Sequence, residues 1–179
     1  MKVPLSIANR LLNPGEVVLV TSKVGEKSNI ITIAWQSPLS HKPPLVGISI
    51  GKTRHSHKLI KLAQEFVINI PTVELLTKVT ECGKTSGRDT NKFKLTNLTP
   101  IPSKNIQTPR IKECVGWLEC KLINSFECGD HTLFVGEIVC AETLESMFED
   151  EHWKVARTKL IHHLGDEFYT TPSTEIQKI

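Results

Sequence analysis

Apolar and polar positions change period several times along the chain, and each change marks an element. "EVVLVTS" (residues 16–22) is rich in β-branched residues and follows the turn signal Asn13-Pro14-Gly15, which predicts a strand. A second strand is predicted over 29–35 ("NIITIAW"), after the polar loop "KVGEKS". A third covers 45–50 ("LVGISI"), behind the Pro43-Pro44 pair, and a fourth covers 65–70 ("EFVINI"), stopped by Pro71. Between these two, Leu59, Ile60 and Ala63 recur at helical spacing, with Thr53 as the candidate cap. Residues 72–84 read as another helix, with Thr72 at its start and Gly83 at its end. Prolines 100, 102 and 109 make 96–113 a long excursion or a sheet edge. Two long β-rich arms, 115–128 and 131–144, flank Gly129-Asp130, which predicts a hairpin. After Trp153 the pattern weakens, and the tail is expected to cross the surface or to reach a partner subunit.

These elements do not alternate regularly between strand and helix, which argues against a doubly wound parallel sheet. They fit a mainly β fold with flanking helices, built as a mostly antiparallel barrel. A chain of 179 residues fits one domain over 1–179, with a core of about 4–144 and a C-terminal extension over 145–179.

Composition removes several alternatives. The net charge of +3 comes without any block of Lys or Arg, so nucleic acid is not an expected partner. The apolar runs are too short to span a bilayer, and "MKVPLSIANRLLNPG" has no apolar signal-peptide centre; a cytoplasmic protein with no membrane partner is expected. The five cysteines stand at 82, 114, 120, 128 and 140, with no CxxC pair and no zinc spacing. Reduced, buried or half-buried thiols and no metal site are the expectation.

No GxSxG, HExxH, GxGxxG or GxxxxGK[ST] pattern occurs, so triads, zinc hydrolysis and the simple nucleotide loops find no support. Donors concentrate in two other places. In "SIGKTRHSHKLI" (49–60), Lys52, Arg54, His55, Ser56 and Lys58 crowd an expected helix start, where unpaired N–H groups already favour an anion. Water could equally serve them. In "SGRDTNKF" (86–93), Ser86 and Gly87 offer a hydroxyl and an N–H, while Arg88 and Lys92 share a face if the stretch is helical. A salt bridge to Asp89, with Ser86 as a cap, accounts for the same residues. In "TIAWQSPLSHKPPLVGISI", a flat aromatic ligand could lie against backbone amides, or Trp35 could fill the core.

Taken in order, "NPGEVVLVTS" (13–22), "NIITIAWQSPLSHKPPLVGISIGKTRHSHKLI" (29–60), "EFVINIP" (65–71), "CGKTSGRDTNKF" (82–93) and "CGDHTLFVGEIV" (128–139) resemble the flavin reductase-like family of FMN-binding split-barrel proteins, which includes flavin reductases, flavoredoxins and ferric reductases. The resemblance implies a six-stranded antiparallel FMN-binding split barrel, working as a homodimer with FMN at the subunit interface. It implies that Thr32, Ile33, Ala34 and Trp35 line the flavin ring, largely through backbone groups, and that Ser49, Ile50 and Gly51 approach the ring or ribityl chain. It places Arg54, His55 and Ser56, with Ser86, Gly87 and Lys92 of the SGxxxxK pattern, at the phosphate. Gly129, Asp130 and His131 match a "GDH" element tied to NAD(P)H in related reductases, and they serve equally as plain hairpin-turn residues.

The expected function is an FMN-binding oxidoreductase that takes electrons from NAD(P)H and passes them to free flavin, ferric iron or a redox protein partner. FAD is the less favoured flavin. A flavoredoxin-like carrier without its own nicotinamide site, and a split-barrel module that binds a small anion without redox work, are the alternatives. No catalytic side chain is assigned, because flavin carries such chemistry and the protein supplies binding and orientation.

Overall fold

The computed structural model describes residues 1–177. A 3-10 turn over Leu5–Leu12 leads into β1 (Gly15–Glu16), β2 (Val18–Val24), β3 (Lys27–Ile33), β4 (Gln36–Ser40) and β5 (Leu45–Gly51). Helix α1 (His55–Ala63) precedes β6 (Glu65–Ile70), and a short 3-10 turn joins β6 to α2 (Leu76–Lys84). Helix α3 (Lys92–Thr96) opens the excursion, which folds back as the small pair β7 (Pro100–Ile101) and β8 (Arg110–Ile111). The long arms are β9 (Gly116–Cys128) and β10 (His131–Thr143). The C-terminal part adds the pair β11 (Phe148–Glu149) and β12 (His152–Trp153), helix α4 (Val155–Thr158), β13 (His162–Gly165) and β14 (Phe168–Thr170).

Seven antiparallel strands make the main sheet, in the order β3-β2-β6-β9-β10-β5-β4. The architecture is the mainly β split barrel with flanking helices. It holds one strand more than the six expected, because residues 36–40 pair with β5 instead of forming a loop. Pro38 is tolerated there because β4 is an edge strand and needs no N–H on its outer side.

The sequences of β2 and β6 are nearly continuous apolar runs because both faces of the sheet are covered there. Val18 and Val20 of β2 enter the barrel interior with Ile33, Ile48, Phe66, Ile68 and Phe134. Leu19, next to them, points the other way, into a second core with Ile30, Val67, Val79, Cys82 and Phe93, closed by α2 and α3.

The hairpin turn at Gly129-Asp130 is as expected, with Gly129 at φ +62°. Other expectations are corrected. The second strand ends at Ile33, before Trp35. Arg54, not Thr53, is the residue before α1, and no side chain caps that helix. Gly83 lies inside α2, which ends at Lys84. The C-terminal part is no surface appendage: Leu160 and Ile161 are buried in the two cores, and β13 pairs with β1. Cys128 is exposed, whereas Cys82, Cys114 and Cys120 are buried.

The proline-rich excursion is pinned by carboxylates. Glu119 accepts the backbone N–H groups of Lys104 (2.7 Å) and Asn105 (2.8 Å), and Glu65 accepts those of Gln107 (2.9 Å) and Thr108 (2.7 Å). Arg110 Nε donates to Glu119 Oε1 at 2.7 Å, and its Nη1 pairs with Glu142. Burial opposes ionisation of Glu119, but the two backbone donors and Arg110 outweigh it and hold its carboxyl below the usual range.

Candidate functional site

Beside the barrel, the end of β3, the start of α1, the end of α2 and the 85–91 loop enclose a cavity of about 360 Å³. Arg54, Lys84, Arg88 and Lys92 line it, and no carboxylate does among the described residues. The uncapped N-terminus of α1 adds the positive end of a helix dipole. His55 reports this local field: burial first, and then Arg88, Lys92 and Lys58, push its pKa below the usual histidine value.

The walls are fixed by contacts between distant segments. Asn29 of β3 donates from Nδ2 to the Ser56 hydroxyl at 2.7 Å. Gly87 packs on that same asparagine; a Cβ there would lie 1.9 Å from Asn29 Oδ1. Any side chain at 87 therefore displaces Asn29 and frees Ser56. Arg88 donates from Nη2 to the Thr53 carbonyl at 3.1 Å, and its own N–H reaches Ser86 Oγ at 3.3 Å. The loop is thereby strapped to the turn before α1.

Lys92 is the buried cation of the site. Its Nζ donates to the carbonyls of Ile30 (2.8 Å) and Cys82 (2.6 Å), tying β3 to α2. Burial pushes its pKa down, and Arg54 adds to that. Arg88 and Lys92 do not share a helical face: α3 begins at Lys92, and Arg88 lies in the turn before it.

A second cluster forms around the strand ends. Trp35 is 45% exposed rather than a core residue, and its ring centroid lies 4.8 Å from that of His131. His131 stands opposite Gly51 in the β5–β10 register, and the Ser49 N–H donates to the Trp35 carbonyl at 2.9 Å. Asp130 Oδ1 meets His131 Nδ1 at 2.7 Å, and this hydrogen bond holds the Asp130 carboxyl below its usual range.

The residues singled out from the sequence thus fall into three groups. Thr32, Arg54, His55, Ser56, Ser86, Gly87 and Lys92 line one cavity. Trp35, Ser49, Gly51, Asp130 and His131 meet at the strand ends, with Gly129 in the adjoining turn. Ile33 and Ile50 send their side chains into the barrel interior, and Ala34 packs on the second core, so these three offer a ligand mainly backbone. Thr32 spends its hydroxyl on the Val79 carbonyl, at 2.7 Å.

Asn29 and the end of α2 were not anticipated. Asn29 carried one signal, a polar residue in an otherwise apolar strand. The C-terminal hairpin also borders the site, since Lys84 pairs with Glu167 at 2.5 Å.

Residues 10–166 match the family model described as "Flavin reductase like domain". The chain belongs to that family. An uncharacterized protein of Archaeoglobus fulgidus is 42% identical over 92% of each chain. The NADH-dependent FMN reductase AsuE2 of Streptomyces nodosus subsp. asukaensis is 27% identical, over 89% of this chain and 80% of the other. Among solved structures, an FMN-binding protein from Thermus thermophilus with bound 1-cyclohex-2-enone superposes with a TM-score of 0.89 at 25% identity, covering 100% of this chain and 97% of that one.

Proposed function

We propose that this protein is an FMN-dependent oxidoreductase that takes electrons from NAD(P)H in the cytoplasm. One observation carries the reading: a cavity lined by Arg54, Arg88 and Lys92, with Lys84 held by Glu167 at its rim and no carboxylate among its described lining residues, at an uncapped helix N-terminus. Such a site fits a phosphate monoester of about −1.5 to −2 charge. Arg54, Lys92 and the start of α1 hold that phosphate, and Ser86 and Gly87 close over it. The ring end of the ligand is assigned to the Ala34–Trp35 backbone and Ser49, which are joined by the Ser49 N–H on the Trp35 carbonyl. Bound flavin supplies the chemistry, accepting hydride from nicotinamide and passing electrons onward. The protein's own part is to bind, to orient and to present His131 beside Trp35. The similarity to an NADH-dependent FMN reductase supports nicotinamide as the donor.

The working unit is a homodimer. Trp35, Leu39 and Phe126 are each about half exposed, and Leu39 and Leu133 both pack over Gly47 on the outer face of the sheet. Phe126 stands opposite Leu133 in register, so these residues extend one apolar face. Sedimentation of the FMN-loaded protein at micromolar concentration gives a dimer; a monomer rejects this assignment.

Anaerobic titration of the FMN-loaded protein with NADH and NADPH tests the reaction. Bleaching of the flavin absorbance by either nicotinamide supports a reductase. Flavin that stays oxidised with both, yet accepts electrons from a reduced redox protein, supports the flavoredoxin-like carrier. Failure of the purified protein to bind FMN removes both.

A further inference from the structure

The barrel has a second opening, at the end away from the β9–β10 turn. A cavity of about 450 Å³ lies there, and no residue that lines it also lines the cation-rich cavity. Its walls are mostly apolar: Val18, Val46, Ile68 and Ile70 from the barrel, and Phe148 with Trp153 from the β11–β12 hairpin. Those two rings meet edge to face, with centroids 5.4 Å apart at 88°. The volume falls in the range of small-molecule sites, roughly 300–1,000 Å³.

The polar groups in this cavity are unequal. Glu142 is engaged by Arg110 and Lys104. Thr143 donates to the Val115 carbonyl, and the Trp117 N–H donates to the Ile111 carbonyl. Glu16 is different: its Oε1 is buried without a hydrogen-bond partner among the described residues. Its backbone is held by the pairing of β1 with β13, so the carboxyl is built into the wall. A buried polar atom without a partner costs free energy, and such atoms are rare in native proteins unless something completes them. Burial also pushes the Glu16 pKa up.

We propose that this cavity binds a small aromatic or alicyclic ring bearing one hydroxyl, with the hydroxyl on Glu16 and the ring between the aliphatic wall and Phe148/Trp153. A hydroxyl both donates and accepts, so it serves the carboxyl in either protonation state. An ammonium fits only the ionised form, and a carboxylate ligand only the protonated one.

The probe is 4-methylphenol, with toluene as the same ring without the hydroxyl. Both are titrated by calorimetry into the full chain, with and without saturating FMN. The site predicts one molecule of 4-methylphenol per chain in both conditions, bound about tenfold more tightly than toluene, the worth of one hydrogen bond. Glu16→Leu is expected to level the two affinities. Ala141→Trp, an exposed position lining the cavity, is expected to block both ligands with the melting temperature kept. The proposal is overturned if neither probe binds, if FMN competes with them, if the preference survives in Glu16→Leu, or if binding survives in Ala141→Trp. It is also overturned if Ala141→Trp turns a dimer into a monomer while the parent binds no probe, because the opening is then covered by a second copy of the chain.

Discussion

Lys92 and Arg110 are both buried cations, 5% and 4% exposed, and the fold treats them in opposite ways. Arg110 meets two carboxylates, Glu119 and Glu142. Burial alone lowers its pKa, but the hydrogen bonds it donates to Glu142 and Glu119 turn the shift upward. Its charge is closed within the protein. Among the described residues Lys92 meets two carbonyl oxygens and no carboxylate, and its pKa goes down with burial. An ammonium has three N–H groups, so a third remains for a ligand. The first cation belongs to the architecture. The second leaves a charge that an arriving anion can neutralise. Burial alone does not tell the two apart; the partner list does.

Breaking the closed pair sharpens that contrast most. Arg110→Ala leaves Glu119 buried without its counter-ion, and removing one partner of a buried pair costs about 3–5 kcal/mol. The expected result is a much lower midpoint in urea unfolding, with FMN affinity of the remaining folded protein unchanged. A loss under about 1 kcal/mol would assign the pair no more than a surface bridge's worth.

The open charge is tested through its ligand. Lys92→Met and Arg54→Ala are each expected to weaken FMN by about 1.5–3 kcal/mol, or one to two decades, and riboflavin much less. Equal losses for both ligands would place these side chains away from the phosphate. The pH dependence distinguishes the two cations. In the ligand-free protein the Lys92 pKa lies below that of the unfolded chain, so its charge opposes folding at neutral pH. That penalty disappears as pH rises through the folded pKa towards the ordinary value of about 10.4. A bound phosphate favours the charged form instead. FMN affinity should therefore weaken in alkaline solution, beginning below the usual lysine range. Arg54→Ala should keep that pH dependence and Lys92→Met should lose it, with both affinities measured by flavin fluorescence.

The contrast also shows what the sequence could reveal. The strands were legible because sheets covered on both faces need unbroken apolar runs, as in "VVLV". The "SG" and Lys92 positions were legible as an ordered pattern, and they do line one cavity. That Lys92 is buried against Ile30 and Cys82 was not, because its partners are backbone atoms 62 and 10 residues away. Asn29 was missed for a similar reason, since its bond to Ser56 crosses 27 residues. A tryptophan in a strand–proline loop–strand stretch reads as a core residue, yet Trp35 lies past the end of β3, where the main chain turns towards β4. Strand β4 was hidden by Pro38, which looks like a loop residue until an edge strand makes its missing N–H harmless.

The smallest expected effect concerns His131, which belongs to neither cation class. It lies at the mouth of the barrel, near Trp35 and bonded to Asp130, and it is not among the residues that line the cation-rich cavity. His131→Ala removes a ring from the turn end of a hairpin, where the barrel core is not disturbed. FMN affinity and melting temperature should therefore stay close to the parent. If the ring donates one hydrogen bond to the nicotinamide, its loss is worth about 0.5–1.5 kcal/mol, a roughly two- to tenfold slower reduction by NAD(P)H in stopped flow. Asp130→Asn provides the second arm. It keeps the turn but removes the carboxylate that orients the ring, so it should slow the same step by a smaller factor. If both variants reduce at the parental rate, the pair only closes the hairpin, and the carrier reading gains. If His131→Ala loses rate, affinity and stability together, the ring supports the site through packing on Trp35 and has no separate part in reduction.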